Sequence, residues 1–298
     1  MAIPTSLAGM TLEPMVHEVD ERWTMAYAAA LGDSRPAYLD TTRPAGVVAH
    51  PLFTVCPEWP VIVNSRRLSE QAGVSAAEVR TGVHATHDVV IHRLIRPGDV
   101  LTTSLEMVGL VDISPGAMST TRLQTVDATG APISTTSQNG IYLGVHADGE
   151  DRPDPDPPTA IPGQDRIGDP REVTIDLDGG AAHTYTECAR IWNPIHTDRA
   201  VALAAGLPDI ILHGTANLAY GVTAVVDHRA DGRPELIRRL ACRFKAMVLL
   251  PSTITVRVWP PNETGAGRRT VPFEVLNADG QPAVQDGLAV LGEPEQRG

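Results

Sequence analysis

Residues 125–143 read TVDATGAPISTTSQNGIYL, and residues 275–291 read VLNADGQPAVQDGLAVL. Each is a strand-like run, a polar turn holding Gly and Pro, and a second strand-like run, so each predicts a β-hairpin. Gly130 and Gly280 mark the two turns, 150 residues apart. The echo continues upstream, where IRPGDVLTTSLEMV at 95–108 matches VLLPSTITVRVW at 248–259 and Pro97 stands opposite Pro251. Further toward the N-terminus, VVAHPLFTVC at 47–56 matches IILHGTANLAYG at 210–221, and AAALGDSRPAYLD at 28–40 matches ECARIWNPIHTD at 187–198. Four echoes in one order predict a duplicated unit, because chance turn chemistry explains one or two of them but not all.

The length agrees: 298 residues exceed the modal domain of about 100–150. We expect one domain at 1–147 and another at 170–298. A linker at 148–169 joins them, where proline and aspartate crowd out apolar residues and no periodicity survives. In the second half the apolar pattern predicts helices near 181–191, 198–206 and 214–226. Asp198 is the expected N-cap of the second and Gly206 its expected stop. Strands follow near 238–247, 253–259, 270–276 and 283–291. One long apolar helix and an antiparallel set make an α+β pattern, with the sheet wrapped around the helix. The expected architecture is two fused hot-dog domains.

Composition narrows the function. A net charge of -12 and a pI near 5.2, with no Lys/Arg-rich run, argue against a nucleic-acid partner. No apolar run approaches the roughly 18–20 residues of a membrane span. The opening MAIPTSLAGMTLEP lacks the basic and apolar segments of a secretory signal. Cys56, Cys188 and Cys242 are scattered, which suits a reducing compartment and offers no disulfide or zinc framework. A cytoplasmic location is expected. His84, His87 and His92 fall in a strand-like run whose period of two puts His84 and His92 on one face and His87 on the other, so no metal site is expected there.

Chemistry concentrates at 185–222, YTECARIWNPIHTDRAVALAAGLPDIILHGTANLAYGV. Tyr185, Asn193, Pro194, Ile195, His196, Asp198, Gly206, His213 and Gly214 fall in register with the hydratase signature of the MaoC-like family, which this stretch resembles. The resemblance implies an (R)-specific enoyl-thioester hydratase or 3-hydroxyacyl-thioester dehydratase. Its substrate would be an acyl-CoA or acyl-carrier-protein thioester of fatty-acid or polyketide metabolism, with no metal or redox cofactor. Fused hot-dogs already supply the family's basic pair, so a monomer and a homodimer both fit.

Adding water across a double bond conjugated to a thioester needs a base, a proton for the α-carbon and a donor to the developing enolate oxygen. His196 suits the first two tasks, since imidazole exchanges protons near neutrality. Gly214 opens a helix, where free N–H groups and the dipole favour an oxyanion. Asn193 can orient water or the thioester, and Arg190, His213 and Thr215 are candidate substrate contacts, the Arg190 guanidinium suiting a carboxylate or phosphate.

One departure matters. The family pattern places an acidic residue five positions before the histidine, and here that position is Ile191, preceded by Ala189 and Arg190 in place of Ser-Gly. Setting Pro36 opposite Pro194 puts Asp33 opposite Ile191 and Tyr38 opposite His196. A carboxylate of the first half, Asp33 or Glu58, is therefore the expected substitute. A thioesterase or another lyase, and a non-catalytic acyl-thioester binder, are the alternative readings.

Overall fold

A computed structural model of the chain describes residues 2–265 and 267–292. The first half contains strand β1 (Met15–Glu18), helix α1 (Glu21–Ala30), helix α2 (Val55–Gln71), and strands β2 (Gly82–Ile91), β3 (Val100–Ile113), β4 (Gly116–Asp127) and β5 (Pro132–Leu143). The second half repeats the order with β6 (Arg171–Leu177), α3 (Ala181–Ala189), the short α4 (Arg199–Ala204), α5 (Gly214–Arg229), β7 (Ile237–Phe244), β8 (Ser252–Val258), β9 (Arg269–Leu276) and β10 (Pro282–Leu291). The expected second-half elements stand within a few residues of their predicted bounds. Missing from the sequence reading are the opening strands β1 and β6, short alternating runs that the turn signals did not mark.

One antiparallel sheet runs through both halves in the order β1-β3-β4-β5-β2-β7-β10-β9-β8-β6. This order is a two-fold arrangement about the β2–β7 joint, where Val89 lies opposite Leu240. The duplication is visible down to the turns. Asp127 Oδ1 accepts from the N–H groups of Thr129 and Ala131, and Asn277 Oδ1 accepts from those of Asp279 and Gln281. Such local bonds are why Asp and Asn set turns, with Gly130 and Gly280 supplying the positive φ at each apex. The two sheet halves wrap α2 and α5, giving the two hot-dog units.

Helix α5 is buried on almost every side because its residues are small or apolar, among them Ala216, Leu218, Ala219, Val222 and Val225. Gly221 lets it approach the sheet: a Cβ there would lie 2.6 Å from the Phe273 ring. One apolar core, including Tyr27, Phe53, Val89, Leu240, Val225 and Phe273, extends through both halves.

Between Asp148 and Arg171 there is no helix or strand, only an isolated bridge from Arg152 to Leu110. The segment is nevertheless pinned. Arg122 bonds Asp154, Arg239 bonds the Thr159 carbonyl, and Ile161 is buried. The reading of β2 as a regular strand is corrected. Its pairing with β5 shifts register between His84 and Thr86, and this bulge brings the His84 and His87 rings to 5.5 Å of one another.

Candidate active site

Helix α3 ends at Arg190, which takes a left-handed conformation with φ 58 and ψ 35 and donates its N–H back to the last turn. A residue in this region is a common helix stop, and glycine is its usual occupant. The first half shows the same ending with Gly32 at φ 69, followed by Asp33 where the second half has Ile191. Asn193 then extends into Pro194, and a single 3-10 turn, Pro194–His196, carries the histidine. Asp198 accepts from the N–H groups of Ala200 and Val201 and starts α4, as its N-cap role predicts.

His196 is 8% exposed, and its Nδ1–H donates to the Ile211 carbonyl at 2.8 Å. That acceptor fixes the tautomer and leaves Nε2 with its lone pair free. Its ring stacks on His213, centroids 3.7 Å apart. His213 Nε2 in turn lies 3.3 Å from the Ile191 carbonyl and 3.2 Å from Thr186 Oγ1, so its own Nε2 carries the proton. Burial lowers the His196 pKa to about 4 against a smaller opposing effect of the Ile211 carbonyl. Burial and the neighbouring His196 hold His213 well below the usual imidazole range. Both rings are neutral at neutral pH.

Immediately after His213 begins α5, whose first N–H groups, at Gly214 and Thr215, lack intrahelical acceptors. Space beside Gly214 is limited: a Cβ there would meet the Phe244 ring at 3.2 Å. Thr215 Oγ1 accepts from Tyr185 Oη, which also meets Tyr27 Oη from the other half at 3.3 Å. Asn193 makes no side-chain cap bond and lines a surface pocket of about 260 Å³ with Thr186, Pro194 and Thr197. His196, His213, Gly214 and Thr215 are thus brought together, with Asn193 on the same loop.

The two proposed carboxylates are engaged by other partners. Asp33 is buried against Arg35 Nε at 2.7 Å and accepts from Thr223 Oγ1 of α5, while Glu58 accepts from Thr136 Oγ1. Neither hydrogen-bonds His196. Tyr38, opposite His196 in the repeat, is fully buried and its ring lies 5.7 Å from that of His50. Three residues of the site escaped the sequence reading. Thr186 contacts His213, Ile211 holds His196, and Asn217 carries a buried amide oxygen without a partner. Only the spacing of Asn217, one turn past Gly214, offered a signal.

Comparison with known proteins returns a consistent picture. Residues 163–278 match the family described as MaoC like domain, and residues 6–136 match the FAS1-like, dehydratase domain region. A probable enoyl-CoA hydratase 2 of Dictyostelium discoideum is 26% identical over 72% of this chain and 71% of its own length. The 3-hydroxyacyl-thioester dehydratase Y of Mycobacterium tuberculosis is 26% identical over 95% of both chains. The peroxisomal multifunctional enzyme type 2 of Drosophila melanogaster, 25% identical over 86% of this chain, is longer, and the match spans 44% of its length. Among solved structures, a MaoC-like dehydratase from Phytophthora capsici superposes with a TM-score of 0.75 over 97% of both chains at 18% identity.

Proposed function

We propose that the chain, which matches the MaoC like domain in its second half and the FAS1-like dehydratase region in its first, is a hydro-lyase interconverting a trans-2-enoyl thioester and its 3-hydroxyacyl thioester. The observation that carries this reading is the pairing of an unprotonated His196 Nε2 with the free N–H groups at the start of α5.

In the hydration direction, His196 Nε2 takes a proton from water as the water oxygen bonds to C3 of the enoyl group. The C2–C3 π electrons move toward the thioester carbonyl, whose oxygen gains negative charge. The Gly214 N–H, assisted by the positive end of the α5 dipole, donates to that oxygen. The imidazolium then returns its proton to C2. Dehydration reverses each step. Because Ile191 cannot share the proton, His196 serves as both base and acid. Asn193 orients the water, and His213 supports the His196 ring from behind. Arg190 and Thr215 flank the substrate. A CoA or carrier-protein thioester is the expected substrate, and the fused pair acts alone or as a homodimer.

Ile191 also favours a competing reading, thioester cleavage or binding without turnover, since an aliphatic side chain fills the place of the acid. A panel of crotonyl- and longer enoyl-CoA thioesters separates the three. Hydration loses the enoyl absorbance, cleavage releases free thiol, and simple binding does neither. Hydration by the wild-type protein is the expected result.

A further inference from the structure

The Arg190 guanidinium stands out among the cations near the site. It stacks over the Trp23 indole of α1, 4.1 Å from the ring centroid, and so bridges the end of α3 to the first half. Among the described residues no carboxylate pairs with it, and its guanidinium forms no hydrogen bond. Stacking occupies the face of a guanidinium and leaves its N–H edges free for an acceptor.

Two further polar groups belong to the same cluster, the indole's own N–H and a neighbouring imidazole. Trp23 is 4% exposed, and its Nε1–H is buried without a partner. His17, on β1, sets its ring at 62° to the indole with centroids 6.4 Å apart, and its Nε2 is likewise buried and unpartnered. Burial and the positive charge of Arg190 both lower the His17 pKa, so ring and guanidinium share one field. Buried polar groups in native proteins almost always find partners, and two that lack them beside an unpaired guanidinium mark a place where a ligand supplies the missing partner.

We propose that Arg190, Trp23 Nε1 and His17 form a recess for an anionic oxygen group of the bound thioester. Identification of the ligand as a thioester rests on the hydro-lyase reading. The recess adjoins the site by contact: Arg190 precedes Ile191, the Ile191 carbonyl faces His213 Nε2, and His213 stacks on His196. The family signature has glycine at position 190, so the arginine adds charge without altering the backbone path. The anion comes either from a carboxylate at the far end of the acyl chain or from a phosphate on the carrier arm. Both present oxygen acceptors that a guanidinium fork and a neighbouring N–H can hold.

Calorimetric binding of non-reacting saturated thioesters tests the proposal, using the full chain and its Arg190→Gly variant. Glycine accepts the left-handed backbone at this position, so the variant keeps the fold. Butyryl-CoA, glutaryl-CoA and the two corresponding pantetheine thioesters form the panel. If the acyl carboxylate is the ligand, the wild-type preference for glutaryl over butyryl falls about tenfold or more in Arg190→Gly. A carrier phosphate instead gives a preference for CoA over pantetheine thioesters that falls by a similar factor. Trp23→Phe, which keeps an aromatic face but removes the N–H, shows a smaller loss in the same direction. Equal affinities in wild type and Arg190→Gly for all four ligands, or an equal loss for all four, overturn the proposal. Free glutarate and inorganic phosphate are titrated in parallel. Uptake of a free anion that Arg190→Gly abolishes, with no thioester bound by the wild type, keeps the recess and removes the hydro-lyase reading. No binding of any ligand overturns both.

Discussion

At Arg190 the backbone holds φ 58, a region that strains a residue with a Cβ by about 1–2 kcal/mol. Replacing it by glycine relieves that strain, while the looser unfolded chain and the lost stacking on Trp23 each cost about 0.5–1 kcal/mol. Chemical denaturation of Arg190→Gly therefore shows a stability within about 1 kcal/mol of wild type. Ile191 gives a sharper test. Ile191→Asp supplies the acid that the family pattern has, and turnover rises at least about tenfold, within the 10²–10⁴ range of a positioned acid–base group. The variant loses about 1–3 kcal/mol of stability, since a carboxyl replaces buried apolar surface. The pH dependence of kcat/KM has its acid limb near pH 4, because protonation of His196 Nε2 removes the base. An acid limb at 6.5, the ordinary imidazole value, contradicts a buried catalytic ring. At this scale the sequence was legible where a residue acts on its own chain neighbours, as at Asp198, which caps α4. It was silent where a contact crosses the fold, as with Arg190 over Trp23 or Thr223 donating to Asp33.

Helix α2 carries Glu58 into the first-half core. Burial pushes its carboxyl up to about 8 from 4.5, opposed by the bond from Thr136. Between those values the folded protein keeps a proton that the unfolded chain releases, so this group's stability contribution is complete below pH 4.5 and is lost as pH rises toward 8. The slope reaches at most about 1.4 kcal/mol per pH unit. Glu58→Gln flattens this alkaline-side loss in denaturation curves measured from pH 5 to 8. The buried histidines act in the opposite sense. His84 and His196 are lowered to about 4, and His50 and His87 to about 3, each chiefly by burial. The unfolded chain takes up protons below 6.5 while these rings resist until about 4 or 3, so stability falls as pH drops through that window. The long helices and hairpins were legible because their apolar periods are strong. Strand β6 was hidden beside the proline-rich segment, and the bulge in β2 was hidden because one extra residue leaves no mark on a short periodic run.

Across the whole molecule, the two halves share one large sheet and the main apolar core, which the internal repeat alone did not reveal. The β2–β7 joint is fastened by a two-pronged pair, Arg239 Nε and Nη2 to the Asp88 carboxylate at 2.7 Å each. Asp88→Asn weakens this partly buried pair by about 1–2 kcal/mol, read as a fall in the denaturation midpoint. Because the main apolar cluster spans both halves, the chain is expected to unfold in one transition, with fluorescence and circular dichroism reporting the same midpoint. On this account the units proposed at 1–147 and 170–298 are expected to unfold together as structural repeats. The most direct test of the catalytic account is the hydration of crotonyl-CoA by the wild-type protein and by His196→Gln, with folding of both checked by circular dichroism. The account predicts hydration by the wild type and a loss of about 10²–10⁴-fold in kcat for the variant. Equal hydration by both proteins would contradict it.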